Sequence, residues 1–242
     1  MDRMLYVAMA GAKAAMQRQD VVAHNLANVS TNGFREELTA FRAVPVLGDG
    51  ASTRVYTVES TPGVSTLAGP ANTTGRALDV AMTGNAWLAV QGRDGTEAYT
   101  RAGALEVSPE GLLVSSASGL QIQGDGGPIT VPANAEVQIA ADGTVSAKVG
   151  TAKPTGIGRL KLVTPEAPLV RGDDGLFRAG EGDLAADPSA RLQSGALEGS
   201  NVSPVAAMVA MIAAARQFEQ QMKMMQTAQE AEQGANKLLA SG

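Results

Sequence analysis

Residues 204–226 read PVAAMVAMIAAARQFEQQMKMMQ. Met208, Met211, Ala215, Phe218, Met222 and Met225 recur here at alternating spacings of three and four, the repeat that marks one face of a helix. Pro204 suits a first helical turn, where its missing N–H would be unpaired anyway, and Asn201 or Ser203 can cap that turn. The same stripe turns polar at Gln229, Glu232 and Asn236 and closes on Leu239. The spacing therefore predicts a long C-terminal helix whose apolar seam is strong only in its first half.

A matching pattern stands at the other end of the chain. Leu5, Ala8, Ala12, Ala15, Val22 and Leu26 repeat at three-four spacing, with Gln19 in the one gap. This stripe is alanine-rich, and small residues let helices approach closely. The segment that follows, NLANVSTNGF at 25–34, reads as the helix end. Asn25 and Asn28 carry amides able to donate to the unpaired carbonyls of a last turn. Thr31 leads into Asn32-Gly33, a turn signal because both residues tolerate positive φ, and Phe34 gives an apolar anchor beyond it. On these residues alone, a plain helix stop accounts for the segment equally well.

Between the two ends the composition changes. Nine of the ten methionines lie at or before Met16 or at or after Met208, and only Met82 lies between. Glycine is concentrated in the middle. Strand candidates run through Leu78–Met82, Trp87–Val90, Glu97–Thr100, Ala104–Val107, Leu112–Val114, Leu120–Ile122, Ile129–Val131, Glu136–Ala140, Thr144–Val149 and Gly158–Val163. Turn tokens such as Arg93-Asp94-Gly95, Pro109-Glu110-Gly111 and Asp142-Gly143 separate them, the cadence of an all-β sandwich or barrel-like domain. The expected architecture is α+β: N- and C-terminal helices pairing as a coiled-coil-like helical domain, with a central all-β domain. Its expected boundaries are 1–35 for the N-terminal helix and turn, 36–75 for an extended linker, 76–198 for the β domain and 199–242 for the C-terminal helix.

Composition narrows the function classes. The 242 residues carry a net charge of -5 and only 3% aromatics, which is neither the basic footprint nor the stacking surface that nucleic acid needs. No Lys/Arg run suits an anionic membrane, and no apolar stretch is long enough to span one, so no direct membrane insertion is expected. The absence of cysteine removes disulfides, thiolate nucleophiles and thiolate metal sites while leaving the compartment open. The first residues, MDRMLYVAMAGAKAAMQRQD, read as an amphipathic helix without the sustained apolar core of a cleavable signal peptide.

Catalytic motifs are scarce. His24 is the single histidine and reads as a helix-surface residue. There is no Gly-x-Ser-x-Gly elbow and no P-loop. Gly124-Asp125-Gly126-Gly127 and Gly156-Ile157-Gly158 read as turns, and Asp173-Asp174 with Glu181 and Asp183 lacks the spacing of a calcium loop. Trp87, the sole tryptophan, lies in a strand pattern and is expected in the core. No catalytic residue, cofactor or metal is expected.

Three blocks carry a specific resemblance. Asn25-Leu26-Ala27-Asn28 followed by Thr31-Asn32-Gly33-Phe34 resembles the N-terminal signature of the flagellar rod and hook proteins. TGRALDVAMTGNAWLAV with AYTRAGALEVSPEGLLV resembles the β domain of that family, although Trp87 stands where paired phenylalanines are common there. GALEGSNVSPVAAMVAMIAAARQFEQQMKMMQTA resembles its C-terminal helix. The blocks fall in the family's order, and the opening MDRMLYVAMAGAK is most similar to proximal-rod members.

The resemblance implies a structural subunit, not an enzyme. It would be exported by the flagellar type III system without a cleaved signal peptide and polymerised into the periplasm-spanning rod of the basal body, which transmits torque. The implied partners are other proximal and distal rod subunits, with the surrounding ring proteins and the export gate as further neighbours. Burial of one stripe is small beside the cost of ordering so long a helix, so the stripes of adjacent subunits would pack together and propagate a helical assembly. The six apolar stripe positions from Leu5 to Leu26 and the six from Met208 to Met225 are the expected subunit interface, and Asn25, Asn28, Thr31, Gly33 and Phe34 the family's turn. Two rivals stand beside this reading: a distal-rod paralogue, and a secreted β-domain hydrolase with helical ends.

Overall fold

A computed structural model describes residues 2–45 and 55–240, and the chain separates into two compact units. One is built from the described residues of Met1–Val29, Glu36–Ser65 and Val202–Gly242; the other from Ser30–Arg35 and Thr66–Asn201. Two terminal helices and a β-rich middle make the α+β class expected from the sequence.

In the first unit α1 spans Asp2–Ala27 and α2 spans Pro204–Ala240, and the two pack along each other. Ser203 caps α2: its carbonyl accepts the Ala207 N–H at 2.9 Å and its Oγ the Ala206 N–H at 3.4 Å. At the end of α1, the Asn28 side chain donates to the His24 carbonyl at 2.9 Å, the role expected of it. The same unit holds an antiparallel hairpin, β1 at Glu37–Pro45 and β2 at Val55–Val64, registered from Glu37↔Val64 to Pro45↔Val55. This hairpin occupies much of the stretch read as extended linker. ELTAFRAVP and VYTVESTPGV lack the clean two-residue alternation that would announce it, and the pairing itself is irregular between Leu38 and Ala40.

The second unit contains short strands, all paired antiparallel. In chain order they are β3 (Ala71–Thr73), β4 (Val80–Met82), β5 (Trp87–Gln91), β6 (Glu97–Thr100), β7 (Leu105–Val107) and β8 (Leu113–Ser115). Then come β9 (Gln123–Gly124), β10 (Gly127–Pro128), β11 (Ala135–Ile139), β12 (Thr144–Val149), β13 (Thr155–Arg159) and β14 (Leu162–Val163). The last are β15 (Val170–Arg171), β16 (Phe177–Arg178), β17 (Leu192–Ser194) and β18 (Ala196–Glu198). A five-stranded sheet runs β14-β5-β6-β16-β15, a three-stranded one β11-β12-β13, and two-stranded pairs join β7 to β8, β9 to β10, β4 to β17 and β3 to β18.

Burial explains these assignments. In β5 the run WLAV is buried on both faces, as a central strand requires. Along β11 and β12 burial alternates, so one face meets the core and the other does not. The core packs Val80, Leu88, Leu105, Ile122, Val145 and Leu160 with no aromatic among its central members. The Asp142-Gly143 turn is held by Asp142, whose Oδ1 accepts the Thr144 N–H at 3.0 Å. Two expected strands, Leu120–Ile122 and Ile129–Val131, are reduced to single bridges, among them Val90↔Ile122 and Leu112↔Thr130. Gly158–Val163 is divided between β13 and β14.

Candidate functional site

The first unit presents its candidate surface on two helices. On α1, Ala8, Ala12 and Ala15 are buried, and Leu5, Gln19, Val22 and Leu26 are half-buried. The alanine stripe read from the sequence is thus the face that α1 turns inward. Beside it the helices approach closely at Gly11, where an added Cβ would stand 2.9 Å from Cδ of Gln221 on α2.

The seam on α2 is rotated from the stripe read in the sequence. Ala207, Ala214 and Ala228 are buried, and Met211, Phe218, Gln221 and Met225 are half-buried. These seven also fall at three-four spacing. Met211, Phe218 and Met225 belong to both sets; Ala215 is half-buried beside the seam, whereas Met208 and Met222 are exposed. The phase is ambiguous in the sequence because residues 204–215 contain no charged side chain, so no polar face marks the outside. The side chains of Glu232, Asn236 and Leu239 lie outside the described residues.

The outer face of this half-helix is apolar. Val205, Met208, Val209 and Ile212 are 70%, 52%, 62% and 54% exposed. A helix apolar on all sides is normally covered on all sides. On α1, Tyr6, Met9 and Met16 are also exposed at helical spacing. Beside them a shallow groove is lined by Val7, Gly11, Arg18, Phe41, Gln221 and Met224, with the Arg18 guanidinium 5.7 Å from the Phe41 ring centre.

The motif residues after α1 each have a defined place. Asn25 does not cap its own helix. It is buried, its Nδ2 donates to the Glu37 carbonyl and its Oδ1 accepts the Glu37 N–H, both at 2.9 Å. Exposed His24 adds an Nδ1 contact to the Glu37 carboxylate at 2.9 Å. The Thr31 carbonyl accepts the Phe34 N–H at 3.2 Å, closing the turn that Asn32-Gly33 signalled. Gly33 has φ +72°, and a Cβ there would collide with the Arg101 backbone. Phe34 is buried, with the Arg171 guanidinium 4.7 Å from its ring centre.

One cluster has no counterpart in the sequence patterns. Arg35, Arg101 and Glu198 are buried together in the β unit. Glu198 Oε1 pairs with Arg35 Nη2 at 2.8 Å, and Glu198 Oε2 accepts Arg101 Nε at 2.7 Å and is also paired with Arg101 Nη2. The guanidinium carbons lie 6.0 Å (Arg35) and 5.8 Å (Arg101) from the Trp87 ring centre, and Trp87 packs on Phe177 at 4.6 Å. Burial lowers the Arg35 pKa, opposed by the Glu198 charge and aided by that of Arg101. Residues scattered so widely along the chain give no local pattern to read.

Asp174 binds the Arg178 guanidinium at 2.8 Å, across its own turn. Trp87 is in the core, as expected. Among the described residues no cluster of three His, Asp or Glu side chains is placed to hold a metal ion, and no helix is long and apolar enough to cross a membrane.

Comparison with known proteins agrees with this layout. Residues 5–35 match the family described as "Flagella basal body rod protein", residues 81–147 "Flagellar hook protein FlgE/F/G D1 domain", and residues 193–238 "Flagellar basal body rod FlgEFG protein C-terminal". The flagellar basal-body rod protein FlgF of Salmonella typhimurium is 50% identical over 99% of both chains, and that of Escherichia coli 48% over 99% of both. The flagellar basal-body rod protein FlgG of Bacillus subtilis is 30% identical over 95% of this chain and 96% of its own.

Proposed function

The chain belongs to the flagellar basal-body rod protein family, and from that premise we propose that it is a proximal-rod subunit which polymerises helically through its terminal helices. It is a structural component of the rod. Identity of about half its residues with the FlgF of Salmonella typhimurium and of Escherichia coli, against 30% with the FlgG of Bacillus subtilis, favours a proximal over a distal position.

The observation that carries the assembly reading is the uncharged stretch 204–215 that opens α2, with Val205, Met208, Val209 and Ile212 standing in solvent. Neighbouring rod subunits would cover this face, and the exposed Tyr6, Met9 and Met16 of α1 would join the same interface. A coiled-coil-like pairing of α1 with α2 within each chain would then present Met208 and Met222 outward, while Met211, Phe218 and Met225 serve the seam. The contacts join unlike surfaces, so they propagate as a helix and do not close into a dimer. Methionine suits such a surface because it adapts to non-identical neighbours. Export by the flagellar type III system and contacts with ring proteins or the export gate belong to this proposal.

The test is a chromosomal Ile212→Asp strain, with basal bodies isolated and imaged. The expected result is a rod truncated close to the membrane, as in a strain lacking the chain, and no swimming. Complete rods and normal motility in Ile212→Asp would sink the assembly surface. An intact rod without a hook in the deletion strain would move the subunit to a distal position.

A further inference from the structure

Arg35, Arg101 and Glu198 are among the buried polar side chains that assembly leaves unused. We propose that they form a latch, closed by Glu198, which sets the register of three distant chain segments, and that the β unit stays open until Glu198 docks.

The three segments are 33–35, 66–70 and 198–201. Glu198 touches all of them. Its carbonyl accepts the Gly33 N–H at 2.8 Å, its Oε1 takes Arg35 Nη2 at 2.8 Å and the Gly69 N–H at 3.2 Å, and its Oε2 takes Arg101 Nε at 2.7 Å. Arg35 Nη1 donates to the Thr66 carbonyl at 3.0 Å and also to that of Leu67. Arg101 reaches the Gly84 carbonyl at 3.0 Å and the Met82 carbonyl at 3.1 Å, and also that of Ala86. Gly199 N–H to the Pro70 carbonyl at 2.8 Å completes the lacing. At Gly33 and Gly69 a Cβ would strike the Arg101 and Gly199 backbones, so the segments meet without room to slide.

Charge decides what the latch does. One carboxylate serves two guanidiniums, and all three side chains are at most 4% exposed. Without Glu198, two buried cations face each other, a costly arrangement. An apolar trio of similar volume often stabilises as well or better, so burial alone does not account for ions here. Their directionality does: each guanidinium satisfies carbonyls on a fixed segment and a carboxylate on another. Glu198 ends β18, which pairs with β3, and β17 pairs with β4. Every other part of the β unit except Gly199–Asn201 precedes it in the chain. A chain short of Glu198 has strands enough for a sheet but no counter-ion for its two arginines.

Trp87 lies within about 6 Å of both guanidiniums as measured above, and as the sole tryptophan it reports the latch optically. The test uses the full chain and compares wild type with Glu198→Gln, Arg35→Gln, the double variant, and an apolar trio of Arg35→Met, Arg101→Met and Glu198→Leu. Glu198→Gln is expected to red-shift Trp87 emission and to raise protease cleavage within 66–70 and 198–203 on the order of a hundredfold. Arg35→Gln added to it should change little further. The apolar trio should match or exceed the wild-type melting temperature yet still be cleaved rapidly at those segments. Wild-type emission and resistance in Glu198→Gln would overturn the latch, as would full resistance in the apolar trio. If Glu198→Gln does not fold, Glu198→Asp decides: it keeps the charge but shortens the reach by a methylene, and wild-type protection there also overturns the proposal.

Discussion

Asn25 and Glu37 are joined by a reciprocal pair of hydrogen bonds, side-chain amide to backbone, each 2.9 Å long. The end of α1 is thereby fixed to the first residue of β1 as if the asparagine were a strand residue. Replacing Asn25 by Ala leaves the Glu37 N–H and carbonyl without those partners and should cost about 1–3 kcal/mol. Asn25→Asp keeps the acceptor but sets a buried carboxylate oxygen against the Glu37 carbonyl, so it should be at least as damaging. Urea unfolding of both variants checks the order, and a neutral Asn25→Ala would show that water replaces the amide without loss.

The two faces of α2 should respond differently to charge. Ala214 is 1% exposed and Ile212 54%. Ala214→Asp puts a carboxylate into the helix seam and should lower the melting temperature of the purified chain. Ile212→Asp should leave that temperature within a degree or two and act only on assembly. Phe218→Asp, at a half-buried seam position, should damage both. Equal melting temperatures for Ala214→Asp and wild type would mean that the seam is not where the buried alanines put it.

Gly33→Ala should destabilise the β unit by about 1–3 kcal/mol through its positive φ alone, with the collision against Arg101 adding to that. Gly63→Ala, where a Cβ meets nothing within 4 Å, is the matched control. Denaturation midpoints followed by Trp87 emission compare the two, and similar midpoints would remove Gly33 from the structural argument.

Alkaline stability should depend on Tyr99. Its hydroxyl donates to Glu97 Oε1 at 2.8 Å and accepts the Leu184 N–H at 2.7 Å. Burial, reinforced by Glu97 and opposed by the Leu184 bond, raises its pKa from 10.0 to about 12. The folded chain therefore holds this proton where the unfolded chain releases it. The stabilisation is complete below pH 10 and is lost as pH rises toward about 12. In Tyr99→Phe that slope should vanish, as pH-dependent urea midpoints between those limits would record; an unchanged slope would assign it to another group.

What the sequence disclosed depended on how local each signal was. Ser203-Pro204 and the three-four repeats lie within a few residues of one another, so both helices were legible almost to their ends. The phase of α2 was not, because the opening stretch 204–215, apolar on all sides, gives no contrast between inside and outside. Strands with one exposed face, such as β11 and β12, announced themselves by alternation. Pairs of two residues, such as β15 with β16, depend on partners elsewhere in the chain. Arg101 and Glu198 lie 97 positions apart, and no window holds both. Asn25 was recognised as a polar helix-end residue, but its partner is chosen by the path of the chain twelve residues on.

The bond from the Ser65 N–H to the Glu36 carbonyl, at 2.8 Å, closes the root of the β1–β2 hairpin. A second closure, Asn201 N–H to the Phe34 carbonyl at 3.4 Å, seals the longer excursion from 35 to 200. The chain is written as one parenthesis inside another. A change of length in the link between β1 and β2 opens and shuts at the same doorway, and leaves Glu37 on Asn25 and Phe41 beside Arg18. An epitope tag or a reporter loop placed between β1 and β2 would leave that doorway standing.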